Sequence, residues 1–476
     1  MGSRIFFEAV PASLRRPGMY GEFNTKLAIS GLSAQLQRLI ILAPRLASGT
    51  QPAANPVSVF NTDQVAQLAG YGSIAHDMSI DLLGTNRYVS LDLVLVDDPT
   101  GTSAFGSVVY AGTITNGGTE SVYLNDERID IVTTATSTAA TLSSDFATEI
   151  NKRNWLTVTA DGTTVPGTLK LTHKHKGTIG NATSLSVTGN TTGLTRTVNA
   201  FASGAGSHDI SAALTSIFPA GHNLIASAFS DNSNLVKLRT HCGNVSGPME
   251  GRGCRAWYGM TDTLANATSN ASGINDWLVH QAYIRYTKSA PWAVAAAVAA
   301  QDIAEEDPAR PLNSLTLPTL FPPAIADRFS FTELQNLLWN GVTPLEVGPG
   351  ERVQIVRAVT TCTTNALGAP DPARLDITTP KTLFWFRNAV LNDQKIRFSR
   401  EKITDRVLKA VRQRALEIAY MAQDLEILRD VDKYKDDFET QIDAQDVTRV
   451  NLRCPVPIVP GLHILATRFD LYLSGR

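Results

Sequence analysis

The sequence predicts a multidomain chain of mixed α+β and α/β class: an α/β body interrupted by a β-rich inserted domain, then a C-terminal α/β domain, with extended arms at both ends. Three observations carry that prediction. A length of 476 residues exceeds what one hydrophobic core serves, so roughly two to four compact units are expected. Strand-like and helix-like stretches alternate in residues 26–103 and again in 208–360, the pattern of a layered α/β unit. Between them, in residues 104–207, Thr, Gly, Ser and Asn dominate and short strand patterns follow at close intervals, which marks a separate β-rich unit.

Residues 1–25, with Pro11, Pro17 and Gly18, resist sustained helix and read as an extended arm. In the first part of the body, 39–42 is a short buried strand, 63–68 a helix, and 88–96 an alternating strand that stops at Asp97-Asp98-Pro99. The insertion carries strands at 107–114, 120–124, 129–133, 155–160, 168–173 and 184–187 around one helix at 142–151, and leaves through a small-residue linker at 202–207. The body resumes with a helix at 208–218, a strand at 223–228 and helices at 232–242 and 292–304, the last broken by Asp307-Pro308. In 331–364, Leu334, Leu337 and Leu338 recur at helical spacing up to Asn340-Gly341. An extended piece, a turn at Gly348-Pro349-Gly350 and a β-branched run at 353–359 that needs partners on both sides come next. Gly341, Gly348 and Gly350 are expected to shape these turns by adopting left-handed angles.

The C-terminal domain, 361–460, shows helices at 379–391 and 399–428. In the second, Ile403, Val407, Val411, Ala415, Ile418 and Leu425 form an apolar stripe. Lys402, Arg406 and Lys409 line another face, followed by Arg412 and Arg414, and acidic residues come late, an order that opposes the helix dipole. A solvated face explains these charges, and an external acidic partner is the alternative. Residues 461–476 form a C-terminal arm with an alternating strand at 462–473, well placed to add to a sheet in a neighbour.

Chemistry is sparse. Charged residues make up 18% of the chain, and a net charge of -2 gives no footprint for nucleic acid or an anionic membrane. Cys242, Cys254, Cys362 and Cys454 stand singly, which suits a reducing site of assembly. Residues 70–75 fit GxGxxA but follow a helical pattern, so they read as a helix cap and turn. Ser399 and Lys402 match SxxK without its companion motifs. His173 and His175 share one strand face but lack a third ligand and sit beside Lys174 and Lys176, so a solvated strand end is expected there. Cys242, Cys254 and His241 lack metal-ligand spacing and read as buried thiols beside a histidine. No catalytic, cofactor-binding or metal-binding residue is assigned. No signal peptide is recognisable, and the longest apolar stretch, 292–300, falls short of the ~20 residues of a membrane span. The expectation is a soluble protein.

In sequence order, DPARPLNSLTLPTLFPP from Asp307, RFSFTELQNLLWNGVTPLEVGPGERVQIVRAVTT from Arg328, LDITTPKTLFWFRNAV from Leu375 and VNLRCPVPIVPGLHIL from Val450 resemble the tail sheath proteins of contractile-tailed bacteriophages, Mu-like type. LKLTHKHKGTIGN from Leu169 is similar to the family's middle domain, and PASLRRPGMYGEFNT from Pro11 to its N-terminal arm. The resemblance implies a structural subunit without active site or cofactor. Such subunits polymerise as a helical sleeve around a tail tube and contract to drive the tube through the host envelope. It implies partners in further copies of the chain, the tail tube protein, and baseplate and tail terminator proteins, with neither nucleic acid nor membrane contacted. It places the protein in the virion, assembled in the host cytoplasm. Residues 361–460 then correspond to the tube-proximal sheath domain and the insertion lies outside. The arms, with Pro17 and Gly18 in one and Ile464, Phe469 and Leu471 in the other, are expected to exchange strands between subunits. Lys402, Arg406, Lys409 and Arg412 are expected to face an acidic tube surface. A solitary α/β enzyme or binding protein with a β-rich accessory domain is the alternative to a sheath subunit.

Overall fold

The structure is a computed structural model that describes Arg16 and residues 37–472; Pro17 and Gly18 lie outside the described residues. Strand β1 (Arg38–Pro44) is apolar from Leu39 to Ala43, and all five side chains are fully buried. It is followed by β2 (Val57–Val59), α1 (Thr62–Ala69), α2 (Ile74–Thr85) and β3 (Ser90–Val96). The side chains of Asn61 and Ser73 cap the two helices, and Gly70 ends the first at φ 96°, so the GxGxxA stretch is a helix end, a turn and a helix start.

The chain then makes β4 (Ser103–Asn116), β5 (Thr119–Leu124), β6 (Glu127–Val132), α3 (Ala139–Lys152), β7 (Val158–Asp161), β8 (Thr168–Lys176), β9 (Leu185–Gly189) and β10 (Thr192–Ala202). These strands form two sheets, ordered β10-β4-β8-β7 and β6-β5-β9, and share a core around Tyr110, Phe146, Ile150, Leu169 and Leu171. The main sheet resumes through α4 (Ser211–Ile217), β11 (Leu224–Ser227), α5 (Asn232–Ser246), β12 (Arg255–Met260), α6 (Leu264–Ile274), β13 (Val279–Tyr283), α7 (Pro291–Ala304), α8 (Phe331–Trp339), β14 (Thr343–Val347) and β15 (Val353–Ile355).

One eight-stranded sheet results, ordered β15-β14-β13-β12-β11-β1-β3-β2. Every pairing from β14 to β3 is parallel, and antiparallel β15 and β2 close the two edges. Helix α7 is apolar on every side because nearly all of it is buried. Its Asp302 is also buried and accepts from Arg255 Nη1 at 2.6 Å and Trp257 Nε1 at 2.9 Å, with Lys381 Nζ at 3.0 Å, so no charge there is left unpaired. Edge strand β15 meets its need for two partners: β14 on one side, and on the other Ser314 and Leu317, whose N–H groups bond to Ile355 O and Val353 O at 2.7 and 2.8 Å.

Beyond the sheet come α9 (Thr378–Phe398), α10 (Asp405–Asp424), α11 (Val431–Tyr434), β16 (Glu439–Ile442) and β17 (Val450–Arg453). The described residues divide into two compact units: 37–388 and 456–472 form one, and 389–455 belong to the other. The stretch 331–364 therefore completes the eight-stranded sheet, and the division falls inside α9.

Several expectations are corrected. The helix expected over 399–428 begins at Asp405, where Thr404 accepts the Val407 N–H as N-cap. Ile403 thus precedes the helix and Leu425 follows it, both exposed, while Val407, Ala415 and Ile418 keep the stripe buried. His173 and His175 are buried, because β8 packs this end against α2 rather than against water. No strand forms at 462–472 among the described residues, because a ladder needs a second strand and none lies alongside. Among the described residues, no helix is long and apolar enough to cross a membrane.

Candidate assembly surface

After β17 the chain passes Pro455, Pro457 and Pro460, which hold it extended. His463 is anchored: Asn313 Nδ2 donates to its Nδ1 at 3.0 Å, and its Nε2 stands 3.4 Å from Asp376. Beyond it Ile464 is 81% exposed, Phe469 91% and Leu471 87%. Leu465 and Tyr472 are exposed as well, and no backbone hydrogen bond joins 464–472 to any other described residue. Ile464, Phe469 and Leu471 therefore share one extended segment whose apolar side chains face solvent.

The other unit carries a small sheet. Strands β16 and β17 pair antiparallel from Glu439↔Arg453 to Ile442↔Val450 and have no third strand among the described residues. A two-stranded ribbon is marginal by itself. It is held by Phe438, which is buried, by Thr440 Oγ1 donating to Leu408 O at 3.1 Å, and by Arg412, whose Nε and Nη2 donate to Phe438 O at 2.5 Å and Lys435 O at 3.1 Å. Arg412 thus braces the ribbon, its planar fork occupied by two carbonyls.

The other three cations are not so engaged. Lys402 lies in the break before α10 and is exposed, as is Lys409, and Arg406 stands 3.9 Å from Glu401. Arg414 instead binds Asp393 through two bonds of 2.9 Å. Burial works against the Asp393 charge, but hydrogen bonds from Arg414 and Arg397 outweigh it and keep the carboxyl below its ordinary range.

The three turn glycines differ. Gly341 has φ 71°, and a Cβ there would sit 2.9 Å from Thr361 O. Gly350 has φ 74° and open space around it. Gly348 corrects the expectation of left-handed angles: its φ is -89°, and the constraint is the Gln354 side chain lying against its Cα.

One cluster escaped sequence reasoning. The strand order reverses between β1 and β11, and the crevice at such a switch point is where α/β sheets usually take ligands. Here residues of the insertion stand beside the sheet. Asp98 accepts from His175 Nδ1 at 2.7 Å and from the Lys176 N–H at 3.1 Å, His208 Nε2 is 3.4 Å away, and His175 Nε2 accepts the Ile74 N–H at 3.1 Å. Burial opposes the Asp98 charge, yet the bonds from His175 and His208 hold its carboxyl well below the usual range. Burial also lowers His173, to about 3. Beside them Trp292 Nε1 donates to Asp77 Oδ2 at 2.7 Å, and burial followed by the charge of Asp126 pushes the Asp77 carboxyl up to about 7. The sequence signal for this latch was the alternation of β8, which puts His173 and His175 on one face, but nothing marked Asp98 as their partner. Among the described residues, no group of three or more His, Cys, Asp or Glu side chains is arranged to hold a metal ion.

Residues 203–361 match the phage tail sheath protein central domain. Over 413 residues the chain is 31% identical to the Mu-like prophage FluMu tail sheath protein of Haemophilus influenzae, spanning 84% of this chain and 83% of that protein. Among solved structures it is similar to the sheath complex of an extracellular contractile injection system in its contracted state, with a TM-score of 0.51, 11% identity, and 97% and 98% of the two chains covered. It is also similar to a chain of the anti-feeding prophage baseplate, with a TM-score of 0.50, 10% identity, and 97% and 100% covered. At those identities the likeness is one of fold.

Proposed function

Because the chain belongs to the phage tail sheath family, of Mu-like type, we propose that it polymerises as a helical sleeve around a tail tube, contracts when the baseplate signals, and joins its subunits by exchanged strands. A phage tail protein is a component of the virion. Strand exchange is supported by two features: an exposed, apolar arm at 464–472, and a ribbon that has no third strand among the described residues. The arm of one copy adds to β16 or β17 of the next, and the N-terminal arm with Pro17 and Gly18 acts likewise. Main-chain ladders of this kind hold while the bodies rotate, which a contracting lattice needs. A repeated heterologous contact that does not close into a ring generates a helix.

Lys402, Arg406 and Lys409 face an acidic tube surface, while Arg412 braces the ribbon behind them. Baseplate and tail terminator proteins meet the two ends of the sleeve, which is assembled in the host cytoplasm. Electron microscopy of the purified chain tests the proposal. Sleeves or rings are expected, and a monodisperse particle under all assembly conditions returns the chain to the class of solitary α/β enzymes or binding proteins. Reversing Lys402, Arg406 and Lys409 to Glu is expected to abolish tube binding; unchanged binding removes the tube from that face.

A further inference from the structure

We propose that Cys242 and Cys254 form a latent disulfide, a modification site at which a peroxide ties the end of α5 to the start of β12. The two sulfurs stand 3.9 Å apart, both reduced, with residue exposures of 0% and 1%. A bond of about 2.0 Å then requires mainly side-chain movement. The backbone of Cys254 is held to the last turn of α5, the helix that carries Cys242, since the Cys254 N–H donates to Ser246 Oγ at 2.8 Å and Ser246 Oγ donates back to Cys254 O at 3.2 Å. Between them runs 247–253, a loop with glycines at 247, 251 and 253 and with Met249 95% exposed, whose opening admits a small oxidant. Cys362 and Cys454 have no thiol partner of this kind.

The two thiols are unequal. A hydrogen bond from Cys242, then one from His241, hold the Cys254 thiol below its ordinary range despite burial, while Cys242 is pushed up. Cys254 is therefore the nucleophile. Its thiolate attacks one oxygen of hydrogen peroxide, the O–O bond breaks, and hydroxide leaves a sulfenic acid. The Cys242 sulfur then attacks the Cys254 sulfur, the S–O bond breaks, and the Cys242 proton leaves with the hydroxyl as water. Two thiols and one peroxide give one disulfide and two waters. The link pins the loop at Gly253, against which Phe384 of α9 packs so closely that a Cβ would lie 2.8 Å from its ring.

The test uses the full chain treated with hydrogen peroxide, unfolded in N-ethylmaleimide, digested with trypsin without reductant and read by mass spectrometry. Cleavage after Arg239, Arg252 and Arg255 places Cys242 in residues 240–252 and Cys254 in 253–255. The expected product is these two peptides joined with the loss of two hydrogens, whether or not Met249 carries an added oxygen, with Cys362 and Cys454 alkylated. The melting temperature should rise on oxidation, fall back with dithiothreitol, and stay unmoved by peroxide in Cys242→Ala. Full alkylation of both Cys242 and Cys254 after treatment, or Cys254 carried on to sulfinic acid beside a free Cys242, overturns the proposal.

Discussion

Strand β1 and the C-terminal arm are written in similar letters, RLIILAP and LHILATRFDLYL, and meet opposite fates. Leu39 to Ala43 are fully buried between β11 and β3. Ile464, Leu465, Phe469 and Leu471 are each at least 80% exposed. What separates the two is the supply of partners, not hydrophobicity. The body of one chain provides β1 with a strand on each side. The arm has no strand beside it among the described residues, so under the proposed strand exchange the physics that closes the core of one subunit would act between subunits.

That contrast can be broken from either side. Ending the chain at His463 should leave folding intact, with a melting temperature within about 2 °C of the full chain, and abolish sleeves in electron micrographs; an unfolded truncation product would show that the arm belongs to the core after all. Ile41→Ala should do the reverse, costing about 2–5 kcal/mol in chemical denaturation through a cavity in the sheet. Asp77→Asn sharpens the picture at the latch. The folded carboxyl sits at about 7, above the ordinary 3.8, so the folded state holds its proton more tightly and the wild type loses stability as pH rises between those values. The Asn variant, which still accepts from Trp292, should escape that loss, and the gap between the two should widen with pH by up to on the order of 1 kcal/mol per unit. Smaller still, Gly341→Ala should destabilise by about 1–2 kcal/mol, more than Gly350→Ala, because both demand left-handed backbone but only Gly341 also meets carbonyls.

Much of the body was legible because periodicity and burial coincide there. The β-branched and aliphatic run of β1, the Ala-rich α7, and the helix-turn-strand order of 331–364 all declare themselves. Strand β10 was missed because TGLTRTVNAFA is mostly exposed and shows little apolar alternation. Strands β12 and β13, RAWYGM and VHQAY, were missed because buried parallel strands accept polar side chains when partners wait: Arg255 finds Asp302, and the Gln281 side chain meets Tyr258 OH at 2.7 Å. The role of Arg412 was illegible for a related reason. Its periodicity matched Lys409 and Arg406, but carbonyls contributed more than twenty residues later decide where it points. The strand expected at 462–473 does not form among the described residues, where its alternating side chains stand exposed.

Hydrogen–deuterium exchange on free and assembled protein bears most directly on strand exchange between subunits. Alternate amides within 464–472, and the outward-facing amides of β16 or β17, should exchange freely in the monomer and become protected together only on assembly. Assembled sleeves in which 464–472 exchange as fast as in the monomer would contradict it.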